Sequence, residues 1–300
     1  MKKLKYLMLL ISSFGFAQIL TPQPSPFSKI QQTVGLTEVT IEYSRPALRG
    51  RTIMGDLVPY GELWRAGANK NTMINFSDDI ILDGTKIAQG NYALFIRPGK
   101  TLWEIFFYSD TENSGLPKNW NTNSIVAVAE VVPNSTETTW ESFTISINDL
   151  NNNGATLNIK WENTEVKIPF KVPTDEKTMT SINETMKGSP KSGDYYSAAI
   201  YFRETGKDLK QAKKWIAKAI DLNEGKYWMY RQQSLILAEL KETDAAIVAA
   251  KTSLKLAKQA GNNDYIRLNN KSIENDKSNA NGKMVFLQTR YVIPGEKVMS

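Results

Sequence analysis

Residues 141–161 read E-S-F-T-I-S-I-N-D-L-N-N-N-G-A-T-L-N-I-K-W. Two short segments, Glu141 to Ile147 and Ala155 to Trp161, flank the turn Asn151-Asn152-Asn153-Gly154. Asn and Gly tolerate the backbone conformations that a tight reversal needs, so the stretch reads as a strand, a turn and a returning strand. Further along, Asn163-Thr164 turns the chain again into Glu165 to Val172. Upstream, the β-branched run Ile125 to Val132 alternates with Ala. Tyr92 to Ile96 is followed by Pro98-Gly99 and then by Leu102 to Tyr108. Ile80-Ile81-Leu82 runs into Asp83-Gly84, a strong hairpin signal, and Val39-Thr40-Ile41-Glu42-Tyr43 alternates apolar and polar with a period of two. Short strands at regular spacing with no helical stretch between them predict an antiparallel β-sandwich (or barrel) over about 37–172. Trp64, Trp103, Trp120, Trp140 and Trp161 fall in this region, where aromatics at alternate strand positions belong to the core.

The period changes beyond this region. Thr174 is placed to cap a short helix with Asp175 and Glu176 in its first turn, Met179, Ile182 and Met186 on one face, and Gly188 and Pro190 as its stop. After about 194 the pattern is helical. Leu209, Ala212, Ile216, Ala219 and Ile220 share one side of a helix, and Lys207, Lys210, Lys214 and Lys218 share the other, which reads as a solvated face. Ala212, Ile216, Ala219 and Leu222 recur 34 residues later as Ala246, Ala250, Ser253 and Leu256. Small residues at the first and third positions let two helices approach closely. This resembles the tetratricopeptide repeat, whose period and second-helix spacing are the same, although Ser253 replaces the usual Ala and the first-helix Trp-Leu-Gly signature is absent. Tyr195 to Glu204 and Tyr227 to Leu240 would be the first helices, and a terminal helix is expected near Tyr265 to Ile273. The fold class expected is therefore multidomain, all-β plus all-α: a sandwich followed by a short tetratricopeptide-like array of helical hairpins.

The 300-residue chain has no Cys and no His, which removes disulfides, the usual zinc, copper and haem ligand sets, the Ser-His-Asp triad, the Cys nucleophile and the His general base. Its start is an address. Lys2, Lys3 and Lys5 precede an apolar run from Leu7 through Phe16, and Gly15 and Ala17 supply small residues before Gln18. This is the layout of a secretory signal peptide, and the run is too short to span a bilayer. The expected organisation is a signal peptide at 1–17, cleaved near Ala17/Gln18; a β-sandwich domain at 18–173; a linker with a short helix at 174–194; a helical repeat domain at 195–278; and a tail at 279–300. The location expected is periplasmic or secreted, without stable membrane insertion. Of the formal charge of +6, the signal carries +3, residues 18–174 carry −3 and residues 175–300 carry +6. No aromatic shares the lysine face as a stacking platform would require, so no nucleic-acid partner is expected.

Between Tyr43 and the strand near 72–76 lies S-R-P-A-L-R-G-R-T-I-M-G-D-L-V-P-Y-G-E-L-W-R-A-G-A-N, residues 44–69. Long connections in compact domains are uncommon and often functional. Arg supplies planar donors for carboxylate or phosphate, and Tyr60 and Trp64 offer faces for a sugar ring. Arg45, Arg49, Arg51, Tyr60, Trp64, Arg65 and Asn69 are the candidate ligand-binding residues. The competing reading is structural: Arg51 and Arg65 pair with Asp56, Glu62 or backbone carbonyls, and Trp64 and Leu57 anchor the loop.

Here the sequence resembles domain of unknown function family 2911. The matching motifs are S-R-P at 44–46, R-G-R-T-I-M-G at 49–55, L-V-P-Y-G at 57–61 and L-W-R-A-G-A-N at 63–69, with G-N-Y-A-L-F-I at 90–96 as a second stretch. The resemblance covers about 25–172. It implies an exported protein, largely of Bacteroidetes, with an all-β first domain and no established catalytic residues. The family usually reads T-G-A-N-E-A-T after W-R; Ala66 and Lys70-Asn71 depart from this.

No G-x-G-x-x-G, P-loop, S-x-x-K or calcium loop occurs, so no cofactor and no metal are expected. Two functions remain. The first is a binding or interaction protein of the bacterial envelope, taking an anionic or carbohydrate ligand at 44–69 and a protein or peptide partner on the helical repeats. The second is a carboxylate-dependent glycan hydrolase, for which Glu42, Asp56, Glu62 and Glu104 are available but unselected by spacing. The missing His and Cys favour recognition over catalysis.

Overall fold

The computed structural model describes residues 21–280, so the signal segment 1–17 and all but the first two residues of the 279–300 tail lie outside the described residues. The chain divides into two compact units between Lys177 and Thr178. The first is an antiparallel sandwich of two separate sheets, not a closed barrel. One sheet has six strands: β1 (Phe27–Val34), β2 (Thr37–Ser44), β3 (Thr72–Phe76), β6 (Gly90–Arg97), β7 (Trp103–Tyr108) and β8 (Ile125–Val131), in that spatial order. The other runs β5 (Thr85–Ile87), β4 (Ile80–Leu82), β10 (Gly154–Lys171) and β9 (Asn134–Asn151).

Alternation builds the layers. Val39, Ile41 and Tyr43 of β2 face Phe143 and Ile145 of β9 and Leu157, Ile159 and Trp161 of β10 in one apolar core. Tyr43 ties the two sheets directly: its hydroxyl donates to the Ile145 carbonyl at 3.2 Å and accepts from the Ile145 N–H at 3.0 Å. Strands β6 and β7 are buried on both faces, because Trp120 from the loop after β7 lies over their outer side, stacked on Tyr108 at 4.6 Å and edge-on to Phe95 and Phe106.

The turns fall where Asn, Asp and Gly place them. Asp83 and Gly84 both take positive φ and close the two-residue β4–β5 hairpin. Strand β10 is continuous in hydrogen bonding but doubled in path. At Glu162, φ is +54°. Asn158 Nδ2 then reaches Glu165 Oε1 at 2.9 Å, and Val172 N–H donates to the Asn153 carbonyl at 2.9 Å. An extended run of seven residues would hold the first pair about 23 Å apart. The halves 154–161 and 165–171 therefore lie side by side, which is the reversal that Asn163-Thr164 predicts. Strand β1 is the one the sequence leaves unmarked: burial alternates along it, but two of its four inward positions are polar, Ser28 and Gln32, so the side chains show no apolar period.

Helix α1 (Thr174–Lys187) starts in this unit. The Thr174 hydroxyl accepts the Leu36 N–H at 3.2 Å, and Lys177 Nζ meets Asp78 Oδ1 at 2.7 Å. Burial raises the Asp78 carboxyl, but hydrogen bonds from Lys177, Thr37 and Ser77, with the Lys177 charge, outweigh it and hold it below the ordinary 3.8. A lowered carboxyl stabilises the fold above its ordinary range and loses that contribution as pH falls through the lowered value. Asp78→Asn is expected to cost about 1 kcal/mol at neutral pH, Lys177 being partly solvated. Urea denaturation of both proteins across pH should show that difference at pH 7 and see it shrink in acid.

The second unit contains α2 (Ser192–Glu204), α3 (Leu209–Leu222), α4 (Tyr227–Glu239), α5 (Thr243–Gln259) and α6 (Asn263–Ala280). Met179, Ile182 and Met186 pack into its core with Phe202, Ile216 and Met229. The residues 34 apart occupy matching places: Ala212, Ile216 and Ala219 of α3 and Ala246, Ala250 and Ser253 of α5 are all fully buried. Ser253 is explained by its bonds. Its hydroxyl donates to the Tyr227 carbonyl at 2.6 Å and accepts from Asn269 Nδ2 at 2.8 Å. In the first hairpin the equivalent link is made from the other side, Ser192 Oγ donating to the Ala219 carbonyl at 2.8 Å.

Candidate functional site

The connection from β2 to β3 closes one end of the sandwich. It first runs along the edge of β9, where Leu48 N–H donates to the Glu141 carbonyl at 2.6 Å and Phe143 N–H to the Pro46 carbonyl at 2.9 Å. It then crosses to β6, where Trp64 and Ile96 exchange both backbone hydrogen bonds at 2.7 and 2.8 Å. The Trp64 indole stacks on Trp161 at 5.7 Å, meets Phe143 edge-on at 5.0 Å, and donates to the Gly67 carbonyl at 3.2 Å. It fills the end of the core and does not stand as a ligand platform.

Three of the four arginines donate to acceptors within the protein, Arg45 half-buried and Arg49 and Arg51 exposed. Arg45 donates to the Phe143 carbonyl at 3.0 Å and to Thr144 Oγ1 at 2.7 Å. Arg49 Nη2 reaches the Pro24 carbonyl at 3.0 Å, and Arg51 binds the carbonyls of Leu48 and Ala47 at 3.0 and 2.6 Å. Arg45 and Arg49 thus tie the loop to its neighbours, and Arg51 closes on carbonyls of the loop itself. Arg65 differs. It is half-buried and donates to no acceptor among the described residues. Its Nη1 lies against Gly115, where a side-chain Cβ would stand only 2.9 Å away.

Two clefts border the loop. The first, of about 380 Å³, is walled by Asn69, Lys70 and Asn71, by Ser44 and Tyr43 at the end of β2, by Thr111 and Asn113, and by Ser25 and Phe27. Asn69, with φ +59°, donates to the Ser25 carbonyl and Ser44 Oγ, both at 3.2 Å. Asn71 is buried and joins two loops: Nδ2 donates to the Asn113 carbonyl and Oδ1 accepts the Gly115 N–H, each at 2.7 Å. The Asn113 side-chain nitrogen is closed off from solvent and has no partner. Phe27, 66% exposed, forms the apolar rim. Glu42 is the cleft's one carboxylate, and Lys29 holds it at 2.8 Å. The second cleft, of about 260 Å³, has Tyr60 and Trp103 on one side and Asn134, Ser135, Asn163 and Thr164 on the other.

The structure therefore separates the sequence candidates. Asn69 lines the first cleft, Tyr60 the second, Arg65 stands behind Gly115, and Arg45, Arg49, Arg51 and Trp64 brace the loop. Asn71 and Asn113 had no signal in the sequence, because neither belongs to a spaced motif and their meeting depends on how two loops fold. Among the described residues no three His, Cys, Asp or Glu side chains gather to hold a metal ion, and no helix is long and apolar enough to cross a membrane.

The loop that carries these features is also where the chain is most recognisable. Residues 25–170 match the family model described as "Protein of unknown function (DUF2911)". The β domain belongs to that family. No curated protein and no solved structure matches the chain.

Proposed function

We propose that this is an exported binding protein of the bacterial envelope, whose DUF2911 domain receives a polyhydroxylated, carbohydrate-type ligand in the cleft between residues 69–73 and 111–113. The basic, then apolar, then small-residue start of the chain supports export. The observation that carries the binding reading is the Asn113 amide. A buried donor left unpaired costs about 1–3 kcal/mol, whereas the neighbouring Asn69 and Asn71 amide nitrogens already donate within the protein. Asn torsions at the amide are broad, so a small turn brings the Asn113 nitrogen to the cleft surface and to a ligand hydroxyl. Amide and hydroxyl walls beside an exposed aromatic rim suit a sugar ring, which is polar at its edge and apolar on its face.

Glu42 and Glu104 supply no rival arrangement. Glu42 on β2 is paired with Lys29 and Glu104 on β7 with Arg97. Those strands are three places apart in the sheet, about 14 Å, beyond the roughly 5–9.5 Å that glycoside hydrolysis requires. Asp56 and Glu62 lie exposed on the loop.

The helical unit is proposed to hold a protein partner. Arg203 of α2 binds Glu239 of α4, and Arg231 of α4 binds Ser272 of α6. Arg203 Nε and Asp276 Oδ2 remain buried without partners, which supports recognition of a polar segment across these helices.

The test is a thermal-shift screen of the purified protein against neutral and acidic glycans, peptidoglycan fragments and phosphorylated metabolites, followed by titration of any hit. Asn113→Ala removes the free donor and none of the hydrogen bonds described above. It is expected to weaken a saccharide hit about tenfold without lowering the melting point of the free protein. Binding unchanged by the substitution would reject the cleft.

A further inference from the structure

The second cleft differs from the first in the groups that its walls leave open. Tyr60, Lys100, Ser135 and Thr164 line it, and none of these side chains makes a hydrogen bond or an ion pair among the described residues. Ser135 and Thr164 lie directly opposite each other across β9 and β10. Side chains so placed leave one face with their Cβ atoms about 4.5–5.5 Å apart, so the two hydroxyls emerge side by side. Lys100, which is exposed, reaches the cleft from the turn between β6 and β7. Tyr60 is 40% exposed and its ring is seated on Gly55, where φ is +89° and a Cβ would stand only 2.6 Å from the ring. The almost fully buried Trp103 and half-buried Met54 supply the apolar part of the wall. Among the described residues no carboxylate lines the cleft. Glu162 turns its Oε2 to the N–H groups of Ile53 and Met54 at 3.2 and 3.4 Å, and Glu165 is held by Asn158 and Lys160 at 2.9 and 3.1 Å. Asp56 and Glu62 are exposed and stand outside the lining.

The open groups are thus one cation, three hydroxyls and an aromatic face, with no Arg among them. The fork of Arg is the match for a planar carboxylate, whereas a Lys point charge with hydroxyl donors around it suits the several outward oxygens of a phosphate. At about 260 Å³ the cleft is smaller than the roughly 300–1,000 Å³ of sites for drug-sized ligands, which fits one ring and its substituent. We propose that the second cleft binds a small phosphate monoester: Lys100, Ser135 and Thr164 take the phosphate, and Tyr60 covers the ring that carries it. The two clefts share no lining residue, so this site is independent of the saccharide reading.

Calorimetric titration of the purified protein with a hexose phosphate, phenyl phosphate, inorganic phosphate and the unphosphorylated hexose tests it. At least one monoester is expected to bind about tenfold or more tightly than inorganic phosphate and the free hexose, and the tighter monoester shows whether the ring is a sugar or an aromatic. Lys100→Gln should weaken that binding about tenfold, and so should Ser135→Ala combined with Thr164→Val, while Asn113→Ala in the other cleft leaves it as it was. Added salt should weaken it too, because the cation is exposed. Melting points of the free variants check that the fold is intact. Monoester binding no tighter than that of inorganic phosphate overturns the proposal and leaves the saccharide reading untouched. So does a monoester preference that both the Lys100 and the hydroxyl variants retain, or one that only Asn113→Ala removes.

Discussion

Trp64→Ala is expected to lower the stability of the β unit by about 3–5 kcal/mol, the range for removing a large aromatic from a packed site. The side chain is only part-buried, but it serves three surfaces at once: the Trp161 face, the Phe143 edge and the Gly67 carbonyl. Trp161 and Phe143 are themselves almost completely buried, so the vacated space opens directly on the core. Without the indole, the connection between β2 and β3 is left to the Trp64–Ile96 backbone pair and the arginine bonds. Urea denaturation followed by tryptophan fluorescence gives the loss. Hydrogen exchange should show the amides of residues 61–69 losing protection first. A loss under about 1 kcal/mol would mean that the loop is held by the arginines alone and that the indole is incidental.

Gly35→Ala is expected to cost about 3 kcal/mol, by two additive routes. Gly35 has φ +56°, a conformation that costs an L-residue roughly 1–2 kcal/mol. A Cβ there would also overlap Thr174 Oγ1 and the Asn152 carbonyl, so three segments distant in sequence would have to move, and overpacking adds about 1–3 kcal/mol. Gly84→Ala is the matched control. It also has positive φ, at +79°, but nothing within 4 Å of the added carbon, so it should show the conformational part alone. Equal losses for the two variants, measured by the same denaturation experiment, would show that the Gly35 contact yields freely.

These two positions also show what the sequence makes legible. The sandwich follows from local signals: Asp83-Gly84, Asn151 to Gly154 and Asn163-Thr164 each adopt reversals that their side chains favour, and alternation such as that of Val39 to Tyr43 orients each strand. The helical repeat is legible for the same reason, since the small residues of α3 and α5 must be buried wherever the helices meet. The site is not local in this way. Arg45 and Arg65 have the same chemistry in the sequence and opposite fates in the fold, and the difference lies in which carbonyls the partner strand β9 presents. Asn71 and Asn113 are 42 residues apart and meet because their two loops cross. Trp64 reads equally as a sugar platform or a core plug until the positions of Trp161 and Phe143 are known. The absence of His and Cys keeps one consequence: recognition must be built from other groups, and amides, hydroxyls, an aromatic rim and Lys70 line the cleft.

The most direct measurement is the side-chain amide spectrum of Asn113 and Asn71 during titration with the saccharide that gives the largest thermal shift. The binding account predicts that the Asn113 Nδ2 protons move progressively and saturably, as a free donor acquires an acceptor, while those of Asn71, already bound to the Asn113 carbonyl, move far less. Saturable shifts confined to residues outside the cleft, or none at Asn113 while heat of binding is recorded, would contradict it.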